Sequence, residues 1–145
     1  MTTMILLGFD GSPDAVAAAR WAAREAAHHG AVLHILHTYD YPYLERLDRQ
    51  AQRLLAEEAN AVCELGRQTA ADEAPQLEIR TSVRVGQPAP ELIAAAEDAD
   101  LLVLGRHGHL PLHRLLLGSV ANKCLHHVTC PVVIVVDPDD AAASR

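Results

Sequence analysis

Five short strand-like runs, four of them mainly apolar and the third alternating, are interspersed with helical sequence patterns along this 145-residue chain. The runs lie at 4–9, 31–37, 77–85, 101–104 and 131–136. The first is almost wholly apolar, which is typical of a strand buried on both faces. Strands that alternate with helices need crossover connections, which produce a mainly parallel sheet with helices on both faces. The sequence therefore predicts one α/β domain over residues 1–136, folded as a three-layer sandwich, and a flexible tail at 137–145.

Capping residues and glycines mark the helix boundaries. Ser12 can cap the first helix, Pro13 suits its first position and Gly30 ends it, so we expect a helix over 13–29. Further helices are expected over 44–69, 90–96 and 119–127. The second has an amphipathic pattern closed by Gly66 and then Ala74-Pro75, and its inner side is predicted to comprise Leu47, Ala51, Leu54, Leu55, Val62 and Leu65.

Charge and cysteine content narrow the classes of function. The chain carries 12 basic and 19 acidic residues, a net charge of −7, which argues against an open nucleic-acid surface. No apolar run approaches the length of about 18 residues that a membrane span needs. Three cysteines lie far apart without a CxxC pair, which indicates free thiols in a reducing compartment. We therefore expect a cytoplasmic protein that uses neither nucleic acid nor membrane.

The stretch 105–120, GRHGHLPLHRLLLGSV, has the features of an anion-binding loop. Its glycines are Gly105, Gly108 and Gly118; glycine allows positive φ and lets bare N–H groups approach a ligand, and a helix is expected to start beside the last of them. No Asp or Glu occurs between 101 and 136, whereas Arg106, Arg114 and Lys123 do. This positive segment on an acidic chain suits a polyanionic small molecule. It is not a Walker A loop, and a plain surface loop that needs turns is the alternative.

Several single residues near this loop have both a ligand interpretation and a structural one. Ser119 and the Val120 amide could bind phosphate, or Ser119 could simply cap the helix. Asp10 follows the first strand and could accept from ribose hydroxyls or hold a divalent cation, or it could be the acid of an Asp-Gly-Ser-Pro turn. The histidines could donate to phosphate, remain solvated or, as a third option, bind a metal; they are His107, His109 and His113.

The spacing Gly105-x2-Gly108-x9-Gly118-Ser119 resembles the signature of nucleotide-binding members of the universal stress protein family, and the order of segments along nearly the whole chain is similar too. The resemblance implies a Rossmann-like sheet of order 3-2-1-4-5. It also implies ATP, with Mg²⁺ as a possible companion, held between Asp10 and the glycine-rich loop.

The same resemblance assigns further site residues. Gly8 and Phe9 would form a wall of the base pocket through backbone and ring, and Thr38 would contact adenine through its backbone. Arg106 and His107 would lie beside the phosphates. The last strand, 131–136, is apolar and would be an aggregation hazard if left unpaired, so a homodimer formed by pairing these strands is expected.

Three functions remain open at this point. The first is an ATP-binding regulatory protein of a stress response, acting on an unknown signalling partner. The second is a slow ATPase or a phosphoryl- or nucleotidyl-transfer enzyme. The third is an interaction scaffold whose loop binds nothing. No Ser-His-Asp or paired-carboxylate arrangement can be argued, because acids are missing from the segment that holds the expected site.

Overall fold

A computed structural model describes residues 3–109 and 116–139. The strands are β1 (Met4–Gly8), β2 (Val32–Tyr39), β3 (Ile79–Val85), β4 (Leu101–Gly105) and β5 (Val132–Val135). The helices are α1 (Pro13–His29), α2 (Arg49–Glu73), α3 (Pro88–Ala96) and α4 (Ser119–His127). A short 3-10 turn at Leu44–Arg46 precedes α2. Among the described residues, no helix is long and apolar enough to cross a membrane.

All five strands form one parallel sheet in the order β3-β2-β1-β4-β5. The predicted α/β fold and strand order are therefore confirmed. Ile5 and Leu7 pack with α1 and α2 on one face, whereas Leu6 packs with α3 and α4 on the other. The crossover from β1 to β2 runs through α1 on one face, and the crossover from β3 to β4 runs through α3 on the other, so the carboxyl ends of β1 and β4 border a crevice.

Helix α1 forms as its sequence predicts. The Ser12 hydroxyl accepts the Ala15 N–H at 3.3 Å, and the helix ends where Gly30 takes a φ of +64°. The face against the sheet is built from alanines, which allow a close helix–sheet approach. Its buried alanines are Ala15, Ala18, Ala19, Ala22, Ala23 and Ala26.

Helix α2 differs from the prediction. It starts at Arg49 and continues past Gly66 to Glu73, and Leu54 and Leu65 are exposed rather than internal. Its buried residues are instead small: Ala59, Cys63, Gly66 and Ala70. Gly66 lies within the helix. Its lack of a side chain lets the helix pack against the ring of Phe9. A Cβ there would be 2.9 Å from that ring.

Other boundaries shift by small amounts. Helix α3 begins at Pro88 instead of residue 90, and β3 begins at Ile79 instead of residue 77. Residue 137, assigned from the sequence to a flexible tail, donates its N–H to Asp14 at 2.8 Å. Residues 140–145 of that tail lie outside the described part of the chain.

Candidate functional site

A cleft opens at the carboxyl ends of β1, β2 and β4, beside the start of α4. It is lined by residues from the β1–α1 turn, the end of β2, the start of α3 and the loop that follows β4. The residues predicted to form the nucleotide site all line this cleft. They are Gly8, Phe9, Asp10, Thr38, Gly105, Arg106, His107, Gly108, Gly118, Ser119 and Val120. The structure brings them together, and their contact with a ligand stays a prediction.

One wall of the cleft is held by two hydrogen bonds between Phe9, just after β1, and β2. The Phe9 N–H donates to the Leu36 carbonyl at 3.0 Å, and the Phe9 carbonyl accepts from His37 Nδ1 at 2.8 Å. The expectation that the Phe9 ring faces the base is wrong, because the ring packs against Gly66 of α2 and only 3% of the residue is exposed. The wall next to Thr38 is therefore fixed from both sides, which suits a flat group such as a base.

Asp10 has the structural role that the turn sequence allows. One carboxylate oxygen, Oδ1, accepts the Ser12 N–H at 2.9 Å. The other, Oδ2, lies against Gly108, where a Cβ would approach it to 2.8 Å. The residue is half-buried and still borders the cleft, so the turn role and a ligand role are compatible.

The three loop glycines are needed for close packing. We expected them to provide positive φ, but the described glycines with positive φ are Gly11, Gly30 and Gly86. A Cβ on Gly105 would lie 2.8 Å from the backbone carbon of Asp14, and one on Gly118 would lie 2.9 Å from the Arg106 carbonyl oxygen. The glycines thus let the loop backbone lie directly on α1 and on itself.

Helix α4 points its N-terminus at the cleft. Gly118, and not Ser119, is its N-cap, so no side chain caps the first turn. The first N–H groups of a helix have no partner within the helix, and they carry the positive end of its dipole. Ser119 is exposed and Val120 half-buried, which leaves both accessible to a ligand. This arrangement can bind an anion.

The charge around the cleft is mixed. Arg106 lines it and is half-buried, and Lys123 lies exposed on α4. Arg114 lies outside the described residues. Two acids also line the cleft, Asp10 and Asp40, and Asp40 Oδ2 accepts Gln87 Nε2 at 2.6 Å. Arg106 and the α4 amides are the groups on this side of the cleft that attract an anion.

The loop histidines bind protein atoms. His109 Nε2 donates to the Asp10 carbonyl at 2.6 Å, and His107 Nε2 donates to the Leu116 carbonyl. These bonds hold both halves of the loop near the β1–α1 turn. In the described ranges no three His, Cys, Asp or Glu residues come together as a metal site. His113 lies outside those ranges.

Asp14 is the site-forming residue that sequence reasoning missed. The sequence suggests only an acid that complements the α1 dipole. In the structure it is 5% exposed, and its Oδ2 accepts the His107 N–H at 3.0 Å. Ser12 adds a long bond from its hydroxyl to the His107 carbonyl at 3.4 Å. No local signal reveals this contact, since Asp14 and His107 are 93 residues apart.

The cysteines take no part in the cleft. Burial raises the pKa of the Cys124 thiol to about 11 and also raises the pKa of Cys63 and of Cys130. A thiol with a raised pKa is a poor nucleophile at neutral pH. Their positions in the two apolar clusters favour a packing role.

Comparison with known proteins identifies the family. The sequence profile of the universal stress protein family matches residues 1–136. A universal stress protein of Mycolicibacterium smegmatis is 36% identical over 151 residues, covering 95% of this chain and 49% of that protein. One from Thermus aquaticus is 36% identical over 145 residues, covering 93% of this chain and 99% of that protein. The chain thus spans about half of the first relative and nearly all of the second.

Solved structures agree with these sequence matches. A universal stress protein crystallised in complex with cAMP matches with a TM-score of 0.74 and 26% identity, covering 94% of this chain and 98% of that one. Fold, sequence profile and relatives therefore point to one conclusion: this chain belongs to the universal stress protein family.

Proposed function

We propose that this protein binds an adenine nucleotide, with ATP as the main candidate, in the cleft between the β1–α1 turn and the loop before α4. One observation carries the proposal. The predicted site residues come from stretches distant in sequence, at 8–10, 38, 105–108 and 118–120, and they all line a single cleft. We further propose that the bound nucleotide regulates a stress response through a partner protein.

The phosphates would bind at the start of α4. The amides of Ser119 and Val120 supply N–H donors there, and the Ser119 hydroxyl supplies one more donor. Arg106 on the same loop adds a positive charge that can follow the phosphate chain. Gly118 lets the start of α4 lie close to the Arg106 backbone, because it has no side chain to separate them.

The nucleoside would lie along the wall formed by β1 and β2. Gly8 and Phe9 would border the base through their backbone, and Thr38 would offer backbone groups to the adenine edge. Asp10 would accept from ribose hydroxyls. Apolar cleft residues such as Leu36 and Leu92 would cover the base faces.

A Mg²⁺ ion, if it accompanies ATP, would rely mostly on the nucleotide. Asp10 can offer one carboxylate oxygen, Oδ2, since Oδ1 is bonded to the Ser12 N–H. Mg²⁺ prefers six oxygen ligands and is commonly held by one or two carboxylates together with substrate phosphates. The residues therefore fit a cation that arrives with the phosphates.

The comparison with the cAMP complex supports the choice of nucleotide. That universal stress protein binds an adenine nucleotide and shares this fold along nearly its whole length. The cleft described above lies between β1 and β4, where the strand order of the parallel sheet reverses, which is the usual ligand position in such folds.

The test begins with the purified protein. Absorbance and mass spectrometry of acid-released material would show a co-purified nucleotide. Calorimetry would then compare ATP, GTP and inorganic triphosphate. We expect ATP to bind most tightly, and a hundredfold excess over its Kd should stabilise the fold by about 2.7 kcal/mol. Absence of both heat and thermal stabilisation with ATP would refute the proposal and favour a scaffold.

A matched pair of variants locates the phosphate site. Ser119→Ala removes one hydroxyl and leaves the amides, so we expect a loss of about 0.5–1.5 kcal/mol in ATP binding. Thr129→Ala removes an exposed hydroxyl just beyond α4, and ATP binding should be unchanged.

Hydrolysis is followed separately: steady release of phosphate from ATP and Mg²⁺ over hours, reduced by Asp10→Asn, would show an enzyme instead of a regulator.

We also propose a homodimer formed through β5. This strand is at one edge of the sheet, and its four residues are only half-buried. An apolar edge strand is normally paired or covered. Sedimentation at micromolar concentration should give twice the 15.7 kDa chain mass, and a species of 15.7 kDa alone would contradict the dimer.

A further inference from the structure

Asp14 is a buried acid that joins three separate parts of the chain. It is 5% exposed, and among the described residues only Ser12 is a polar side chain of comparable burial. Its Oδ2 accepts the His107 N–H at 3.0 Å, and its Oδ1 accepts the Asp137 N–H at 2.8 Å. These partners are 93 and 123 residues away, in the glycine-rich loop and just after β5.

The burial of this carboxylate requires both bonds. A buried charge is costly unless it is hydrogen-bonded, and bonds from backbone N–H groups to a carboxylate are stronger than neutral ones. Each oxygen of Asp14 has one such donor. If either donor moves away, a buried oxygen is left without its partner, so the positions of the two segments depend on each other.

The loop has little freedom where Asp14 holds it. Gly105 lies directly on the first turn of α1, since a Cβ there would be 2.9 Å from the Ala15 nitrogen. The next residue, Arg106, donates its N–H to the Val135 carbonyl of β5 at 2.9 Å. The loop start and the end of β5 are thus bonded to each other directly and again through Asp14.

We propose that Asp14 is a positioning residue that shapes the ligand loop and couples it to the segment after the edge strand β5. It touches no ligand in this scheme. It fixes the His107 peptide, and through it Gly108 and the path of the loop across the cleft. A nucleotide that holds the loop would therefore also hold Asp137. This inference rests on the proposed nucleotide binding.

The key variant is Asp14→Asn, which keeps the size of the side chain. An amide has one acceptor oxygen, so one of the two backbone N–H groups would face an NH₂ donor. The matched control is Asp100→Ala. Asp100 Oδ2 accepts the Met4 N–H at 2.8 Å across 96 residues, at the opposite end of the sheet. Each change removes one long-range bond to a carboxylate.

Two measurements separate positioning from plain stability. Calorimetry should show about tenfold weaker ATP binding for Asp14→Asn, equal to about 1.4 kcal/mol, and unchanged binding for Asp100→Ala. Amide hydrogen exchange by NMR reports the coupling without any substitution. In the wild type, ATP should slow exchange at Asp137 more than at Met4, and in Asp14→Asn this difference should disappear.

The outcomes that overturn the inference are distinct from failure of nucleotide binding. Asp14→Asn with lowered stability but wild-type affinity would leave Asp14 as a structural residue only. Equal slowing at Asp137 and Met4 would remove the coupling. If the wild type binds no nucleotide, the proposed function fails. The link is then judged from exchange without ligand, where Asp14→Asn must speed exchange at both His107 and Asp137, and unchanged rates would overturn it.

Discussion

Gly118→Ala tests the proposed phosphate site with the smallest change that the loop should not tolerate. An added methyl would lie 2.9 Å from the Arg106 carbonyl oxygen and 3.4 Å from the His107 Cα. The φ of −61° at Gly118 suits any residue, so the cost is steric and not torsional. The carbonyl cannot easily retreat, because it accepts the Gly118 N–H at 2.8 Å and the Arg106 N–H is bonded to Val135.

The expected magnitudes follow from this contact. Overpacking of this kind costs about 1–3 kcal/mol, so the free energy of unfolding should fall by that amount. The start of α4 must also shift by a few tenths of an ångström away from Arg106. We expect ATP affinity to fall about tenfold, or about 1.4 kcal/mol, because the shifted amides are the proposed phosphate donors.

Gly30→Ala is the control for lost stability. Gly30 has a φ of +64° and no atom within 4 Å of an added Cβ, so its substitution strains only the backbone. That strain costs about 1–2 kcal/mol, similar to the loss expected at Gly118, yet it lies outside the cleft. Urea unfolding should show that both variants are destabilised, and calorimetry should show weaker ATP binding for Gly118→Ala alone. If both variants bind ATP as tightly as the wild type, the reasoning about the α4 start is wrong.

Three further predictions concern the core and its titrating groups. Gly66→Ala should lower the free energy of urea unfolding by about 1–3 kcal/mol, because its methyl meets the buried ring of Phe9; an unchanged unfolding curve would contradict this contact. Burial, with Arg84 and Arg80 nearby, lowers the pKa of His34 below 6.5. As the pH falls through 6.5, His34 therefore takes up a proton in the unfolded chain but not in the folded chain. The free energy of unfolding should therefore be lower at about pH 5.5 than at about pH 7.5. Urea titrations at the two pH values should show a smaller decrease for His34→Gln than for the wild type. Cys124, with a pKa raised to about 11, should resist iodoacetamide at about pH 8 in the folded protein, and mass spectrometry showing labelling as fast as in urea would refute its burial.

The location of the cleft has a functional consequence beyond binding. The loop that would hold the phosphates is bonded to β5 through Arg106, and the proposed dimer uses β5. A ligand that orders this loop could favour one arrangement of the edge strand over another, provided that its affinity differs between them. Regulation by a nucleotide then needs no chemical step.

The sequence alone determined the alternation of strands and helices, the ends of α1, and helix α4 at 119–127. These features depend on local rules: apolar runs, an N-terminal Ser-Pro pair and a glycine stop, all of which act within a few residues. The resemblance to universal stress proteins supplied the strand order and nominated residues that do line one cleft.

Only the tertiary structure decided the contacts between distant segments. Nothing near Gly66 in sequence indicates that the ring of Phe9 lies against it, so this glycine is interpreted from the sequence as a closing signal although it packs within α2. Leu54 and Leu65 fit an amphipathic pattern, yet they are exposed, and the fully buried positions of α2 hold small residues. Asp14 became a central residue of the loop because the fold brings His107 and Asp137 to its two oxygens, and such pairings leave no trace in local sequence.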